Sequence, residues 1–239
     1  SCDETAIAIM RGEELLVNTI SSQVDIHEKF GGVVPEVASR AHAEMIRNIF
    51  HSSLNSANLQ ISDIDSVATT DGPGLVGSLV VSFDDAAGEA FDKLSRFCGF
   101  GFPGGPAIQR IAESGNPSKI NLPRPKTKHE YNYSFSGLKT AATNFLKNID
   151  PDDKITRADF AASYQEAIVD SLMINFTKAV KETGVKNISG GGGVMANSRL
   201  REKMNILAND NNLEIFLPSP RLSTDNAAMI CVAAQNDLI

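Results

Sequence analysis

The chain reads as an α/β protein, and three observations carry that reading. Short apolar strand patterns alternate with helical ones along its whole length. A glycine-rich turn follows a strand pattern twice, at Asp71-Gly72-Pro73-Gly74 and at Gly191-Gly192-Gly193, each time ahead of a helical pattern. With 239 residues, 42% of them hydrophobic, the chain can bury one large core or two smaller ones.

Residues 5–21 alternate around Arg11-Gly12-Glu13, which predicts a hairpin with a tight turn. Pro35 suits a first helical turn, and Val37, Ala41, Met45, Ile49 and Phe50 behind it predict a helix to about Ser56. Ile64 to Thr70 has the look of a buried strand leading into the first glycine turn. Asp84 or Asp85 is placed to cap a helix that turns Phe91, Leu94 and Phe97 inward. Phe102-Pro103-Gly104-Gly105-Pro106 stops one element and starts another, and 117–134 is a Pro-, Lys- and Asn-rich excursion. Helical patterns cover about 136–148 and 156–183, and a strand from Val185 to Ser189 runs into the second glycine turn. A helix from Asn197, a strand from Glu214 to Leu217 and a last helix from Asp225 complete the chain.

Composition removes several classes of function. No apolar run is long enough to cross a bilayer, and no basic-then-apolar leader is present, so a cytoplasmic protein without a membrane role is expected. Cys2, Cys98 and Cys231 are odd in number and widely spaced, against a disulfide or zinc framework. A net charge of −7 disfavours nucleic-acid binding over the whole surface. A nucleic-acid partner needs a local basic face, for which Lys119, Arg124, Lys126, Lys128 and Lys139 against Glu130 are the candidates; a solvated loop is the equal alternative.

Several residues are chemically suggestive. Glycine turns such as Gly191, Gly192 and Gly193 let backbone N–H groups approach a phosphate or sugar, and a helix start adds partial positive charge. Asn197 either bonds a ribose or base or only caps the helix behind it. Asp3 and Glu4 could orient an amine or accept a proton, although neighbours on a strand face opposite ways, so at most one is expected to enter a site. Lys139 either neutralises a phosphate or is one exposed lysine among many. Gly72-x-Gly74-x-x-Gly77 matches the dinucleotide fingerprint formally, but lacks the acidic residue about twenty positions on and reads better as a structural turn.

Eight blocks follow in order: Ser1-Cys2-Asp3-Glu4-Thr5, Phe30 to Arg40, Gly72-Pro73-Gly74-Leu75-Val76-Gly77, Asp84 to Lys93, Phe102 to Pro106, Phe135 to Thr140, Gly191 to Asn197 and Thr224 to Met229. Together they resemble the TsaD (Gcp, YgjD) family of tRNA threonylcarbamoyladenosine transferases. The resemblance implies a two-lobed fold of the actin-like, sugar-kinase and heat-shock ATPase type with a central cleft. Residues 1–81, completed by about 226–239, would form the first lobe and 82–225 the second. It implies transfer of a threonylcarbamoyl group from its adenylate to the exocyclic amine of the adenosine 3′ of a tRNA anticodon. Asp3 and Glu4 then belong to the catalytic centre, while Asp92, Gly105, Gln109, Asn197, Gly192, Gly193 and Lys139 hold substrate. Gln109 stands where many family members carry an acidic residue. The resemblance also implies one divalent metal ion, Fe2+, with Asp225 as a ligand, and two helper subunits, an inactive TsaB-like paralogue docked on the first lobe and a TsaE-like ATPase.

Besides Gln109, this chain departs from the family at its metal ligands. The family's remaining metal ligands form a His-x-x-x-His pair, on a segment that also carries a Ser-Gly-Gly-His phosphate loop. Here Val81 meets Ser82 directly, and no two of His27, His42, His51 and His129 are four apart. An unaided Asp225 would make a poor metal site; His42 on the long helix either is recruited to it or is a partly exposed helix histidine. A kinase or ATPase of the same fold and a non-catalytic scaffold that binds the paralogue are the rival readings. A metalloprotease is not supported, because no His-Glu-x-x-His occurs.

Overall fold

The alternation around Gly12 closes as expected in the computed structural model, which describes residues 3–30, 34–68, 80–125, 133–148 and 155–237, with the backbone alone at 35, 36, 39, 80–85, 236 and 237. Strand β1 (Glu4–Arg11) pairs antiparallel with β2 (Glu14–Ser22), with a register shift between Ile9 and Met10. A short helix α1 (Val24–Glu28) follows, and then α2 (Pro35–Ala57), which starts at the proline and ends on Asn58 in the left-handed conformation. Helix α2 lies across both strands of the hairpin. The strand expected from Ile64 is not formed over 64–68. Those residues carry no ladder bonds, and Val67 is 80% exposed, so nothing there rewards an extended pairing.

The glycine turn at 71–77 lies outside the described residues. Helix α3 (Val80–Cys98) starts ahead of Asp84 and Asp85, which are therefore inside it rather than caps. Phe91 and Leu94 are buried as expected, but Phe97 is 52% exposed. The reason is angular: at roughly 100° per residue, position 97 falls about 120° away from Phe91, while Cys98 returns to the Phe91 side. Helix α4 (Gly104–Ala112) packs on α3, and α5 (Ser136–Asn148) begins where the sequence places it.

Helix α6 (Arg157–Thr183) is the axis of the larger core. Its Phe160, Tyr164, Ile168 and Leu172 are buried together with Phe91 and Ile108. The Tyr164 hydroxyl donates to the Ala90 carbonyl at 3.0 Å, so the ring is buried without stranding its polar end. A capping box sets the start of α6: the Thr156 hydroxyl accepts from the Asp159 amide, and the Asp159 carboxylate accepts from the Thr156 amide. Thr156→Ala is expected to cost about 1 kcal/mol, read as a lower urea midpoint with an unchanged slope.

Strand β3 (Asn187–Ser189) starts two residues later than expected and pairs in parallel with β4 (Glu214–Phe216). Between them lie the glycine loop, a 3₁₀ turn over Gly193–Ala196, and α7 (Ser198–Asn211). A four-residue helix α8 (Pro220–Ser223) precedes the last helix, α9 (Ala228–Asp237). The last helix starts later than Asp225 because Asn226 does the capping: its Oδ1 accepts from the Met229 amide. Asp225 is thereby left in the loop ahead of the helix.

The chain divides into two units. One comprises Ser1–Val76 with Thr224–Ile239 and contains β1, β2, α1, α2 and α9; the other, Gly77–Ser223, contains the rest. With four strands and nine α-helices among the described residues, the class is α/β with the helices dominant. No helix among the described residues is long and apolar enough to cross a membrane.

Candidate functional site

Two groups of predicted residues come together, one in each unit. In the first unit, Asp3, Glu4 and Asp225 place one carboxylate oxygen each within 4.8 Å of the other two. Both members of the Asp3–Glu4 pair take part, which corrects the expectation that only one could. The strand begins at Glu4 and Asp3 sits in a bend, so strict alternation does not reach back to it. Burial first, then the neighbouring charges of Asp3 and Asp225, push the Glu4 carboxyl up to about 7, against the pull of a hydrogen bond from Ser22. Such a group shares a proton near neutral pH.

In the second unit the contacts run in series. Asp92 on α3 accepts the Gly104 amide at 2.7 Å and so caps α4. Gly105 is the next residue, and Gln109 lies one turn further on. Gln109 Oε1 accepts the Ser198 amide at 2.9 Å, which ties α4 to the start of α7. Asn197 caps α7, with Oδ1 taking the Leu200 amide at 3.1 Å, and its amide nitrogen donates to Gln165 on α6 at 2.9 Å. Two amides at the helix start are thus already taken by side chains, so its attraction for a phosphate is partly spent. The glycine loop itself precedes a 3₁₀ turn rather than α7. Gly192 there has φ of 93°, a conformation that favours glycine, and Gly191 to Gly193 are exposed.

Ion pairs fix α7 on α6. Arg199 donates to both Glu166 oxygens, at 2.8 and 2.9 Å, and Lys203 lies 2.6 Å from Glu166. Burial would raise the Glu166 carboxyl, but the hydrogen bonds from Arg199 and Lys203 outweigh it and hold it down to about 2. Of the candidate basic face, Arg124 is committed to Asp170 at 2.6 Å and Lys139 stands 3.9 Å from Glu89. Lys126, Lys128 and Glu130 lie outside the described residues.

The donor set decides which ion the first unit suits. Among the described residues, Asp3, Glu4 and Asp225 are the group able to share a cation, and all their donors are oxygens. That set fits a hard divalent ion such as Mg2+ or Mn2+ and does not fit the two-histidine set implied for iron. His42 is not part of that group, and its Nδ1 lies 2.7 Å from Thr5 Oγ1 and 3.2 Å from Gln23 Nε2. His27 is buried against Gln23, and His129 falls outside the described residues. Sequence reasoning passed over Gln165, Gln23 and His27. Nothing in their spacing separates them from ordinary helix and turn residues, and their partners are distant in sequence.

Comparison with known proteins identifies the family. The family model for tRNA N6-adenosine threonylcarbamoyltransferase (TsaD) matches residues 14–83 and, separately, 81–232. Three curated proteins named tRNA N6-adenosine threonylcarbamoyltransferase are similar over 98% of this chain. The one from Thermosipho africanus is 36% identical with 91% of its length covered, that from Kosmotoga olearia 39% with 90%, and that from Clostridium novyi 38% with 89%. The first of these alignments spans 300 positions, whereas 98% of 239 residues is about 234, so about 66 positions of that relative face no residue here. The break between the two matched stretches falls at 81–83, where Val81 meets Ser82. On matches of this extent, the chain belongs to the TsaD family of tRNA N6-adenosine threonylcarbamoyltransferases.

Proposed function

We propose that this chain serves the transfer of a threonylcarbamoyl group from threonylcarbamoyl-AMP to the exocyclic amine of the adenosine 3′ of the anticodon in tRNA. The observation that carries the reading is the meeting of Asp3, Glu4 and Asp225 from opposite ends of a chain of this family. The two units would be the lobes of an actin-like, sugar-kinase and heat-shock ATPase type of fold, with 1–81 and about 226–239 in the first and 82–225 in the second.

In the reaction the amine nitrogen bonds to the carbamoyl carbon. The bond from that carbon to the phosphate oxygen breaks, and AMP leaves with the electron pair. The amine also sheds a proton, and Glu4, held near neutrality by burial and by Asp3 and Asp225, is the group suited to take it. Asp92, Gly105, Gln109 and Asn197 would hold the adenylate, with backbone groups of Gly192 and Gly193 beside its phosphate and Lys139 offsetting its charge. Most of the rate would then come from positioning. A divalent ion held by Asp225 with Asp3 would polarise the carbamoyl carbonyl when bound. The family resemblance implies Fe2+ at that place, and an oxygen-only set here favours Mn2+ or Mg2+. A TsaB-like paralogue on the first lobe, a TsaE-like ATPase and a cytoplasmic setting complete the proposal. The relatives are named for transfer, which does not favour the kinase or scaffold alternatives.

The test uses purified threonylcarbamoyl-AMP, unmodified tRNA and both helper subunits, with the modified nucleoside read by mass spectrometry. A version carrying the family's segment between Val81 and Ser82 is expected to transfer and to bind Fe2+. The 25.6 kDa chain is expected to transfer weakly and to prefer Mn2+. Asp225→Ala removes both activities from the longer version. No product from that version, or ADP release from ATP by that version in the absence of the ATPase subunit and without modified tRNA, sinks the reading.

A further inference from the structure

We propose that Gln23, His27, His42 and Thr5 are positioning residues that fix the Asp3–Glu4 bend through one partly buried chain of hydrogen bonds. The inference rests on Asp3 and Glu4 being the working carboxylates, as read above. The polarity of the chain follows from one fixed point. The Val34 backbone N–H can only donate, and it lies 3.3 Å from His27 Nδ1. That ring nitrogen therefore accepts, so Nε2 carries the proton and donates to Gln23 Oε1 at 3.3 Å. With Oε1 accepting, the Gln23 amide nitrogen is the donor to His42 Nδ1 at 3.2 Å, and the Thr5 hydroxyl meets the same nitrogen at 2.7 Å.

The chain ends on the carboxylate bend. The Gln23 backbone N–H donates to the Asp3 carbonyl at 2.7 Å, and the Ser22 hydroxyl bonds the Glu4 carboxylate. Gln23 thus links β2, α1 and α2 to the residue that carries the first carboxylate. Gln23 and His27 are fully buried and Thr5 nearly so, so a missing partner leaves a polar group without water to replace it. Three carboxyl groups with oxygens within 4.8 Å crowd negative charge together even when Glu4 holds a proton, and the backbone bearing two of them stays in place only if something holds it. An apolar filling would occupy the same space without fixing an orientation.

The experiment follows amide hydrogen exchange at Gln23 in the full chain, with Mn2+ binding read by the paramagnetic resonance of the free ion. His42→Leu removes the acceptor, while His42→Asn returns an amide oxygen near the Nδ1 position. His42→Leu is expected to speed exchange at Gln23 about tenfold, the size of one lost hydrogen bond. His42→Asn restores it, exchange along α6 is unchanged in both, and Mn2+ affinity follows the same order. Thr5→Val, which removes only a hydroxyl, keeps the test open if His42→Leu does not fold. Unchanged Gln23 protection in His42→Leu and Thr5→Val, or His42→Asn behaving like His42→Leu, overturns the proposal. If the unaltered chain takes up no Mn2+, the ion reading of the carboxylates fails by itself, and the exchange result alone decides the positioning role.

Discussion

Glu4→Gln is expected to leave the protein more stable than the unaltered chain at pH 8 and to slow transfer by about a hundredfold or more. The two effects have one origin. The folded-state pKa of Glu4 is raised from 4.5 to about 7, so between those values the native state binds more protons than the unfolded one. Stability therefore falls as pH rises through that window, and the penalty is complete above pH 7. An amide carries no charge and escapes it. Because the group is only half-buried, solvent screening reduces the gain to about 1 kcal/mol rather than the full value of the shift. Urea titrations of both chains at pH 4.5 and pH 8 check the sign: the curves should nearly coincide at the lower pH and separate at the higher. A cation bound by Asp3 and Asp225 offsets the charges that disfavour ionisation, so adding Mn2+ should narrow the gap. Equal stabilities at pH 8 would mean that the three carboxylates do not act on one another.

Gly104→Ala carries the second large effect. A Cβ at Gly104 would lie 2.5 Å from the Phe91 carbonyl oxygen and 2.6 Å from the Asp92 Cα. These are backbone atoms of α3, and no side-chain rotation relieves the overlap, so α4 must move off α3. The same movement breaks the Asp92 bond to the Gly104 amide. A loss of about 3 kcal/mol in the second unit is expected, with a fall of about 10 °C in its melting temperature. Gly105→Ala is the control, because nothing lies within 4 Å of a Cβ there. Weaker adenylate binding in Gly105→Ala, at unchanged stability, assigns that residue to the ligand rather than to packing.

The sequence made some of this plain and hid the rest for physical reasons. The hairpin at Gly12, the long α6 and the capping role of Asn197 are local: a turn residue, a hydrophobic period and a cap are written within a few positions. Phe97 misled because a spacing of three drifts around the helix, and only the second turn reveals the drift. The 64–68 segment misled because β-branched residues read as a strand whether or not a neighbouring edge is available to pair with. The Asp3–Glu4–Asp225 meeting depends on a bend that spoils strand alternation and on a loop placed by the Asn226 cap, neither of which a pattern expresses. Gln23, His27 and Gln165 were unreadable because each is defined by distant partners. The glycine turn at 71–77 lies outside the described residues.

The first unit is assembled from both ends of the polypeptide, with the whole of the second inserted between them. Ribosomal synthesis runs in one direction, so the inserted unit can reach its native form while the host unit still lacks α9. Asp225 joins Asp3 and Glu4 only after more than 200 intervening residues have been made, so the acidic centre is completed after the whole of the second unit has been synthesised. Until then the early hairpin and α2 wait without their final packing partner, a stage at which a chaperone would find exposed apolar surface to bind.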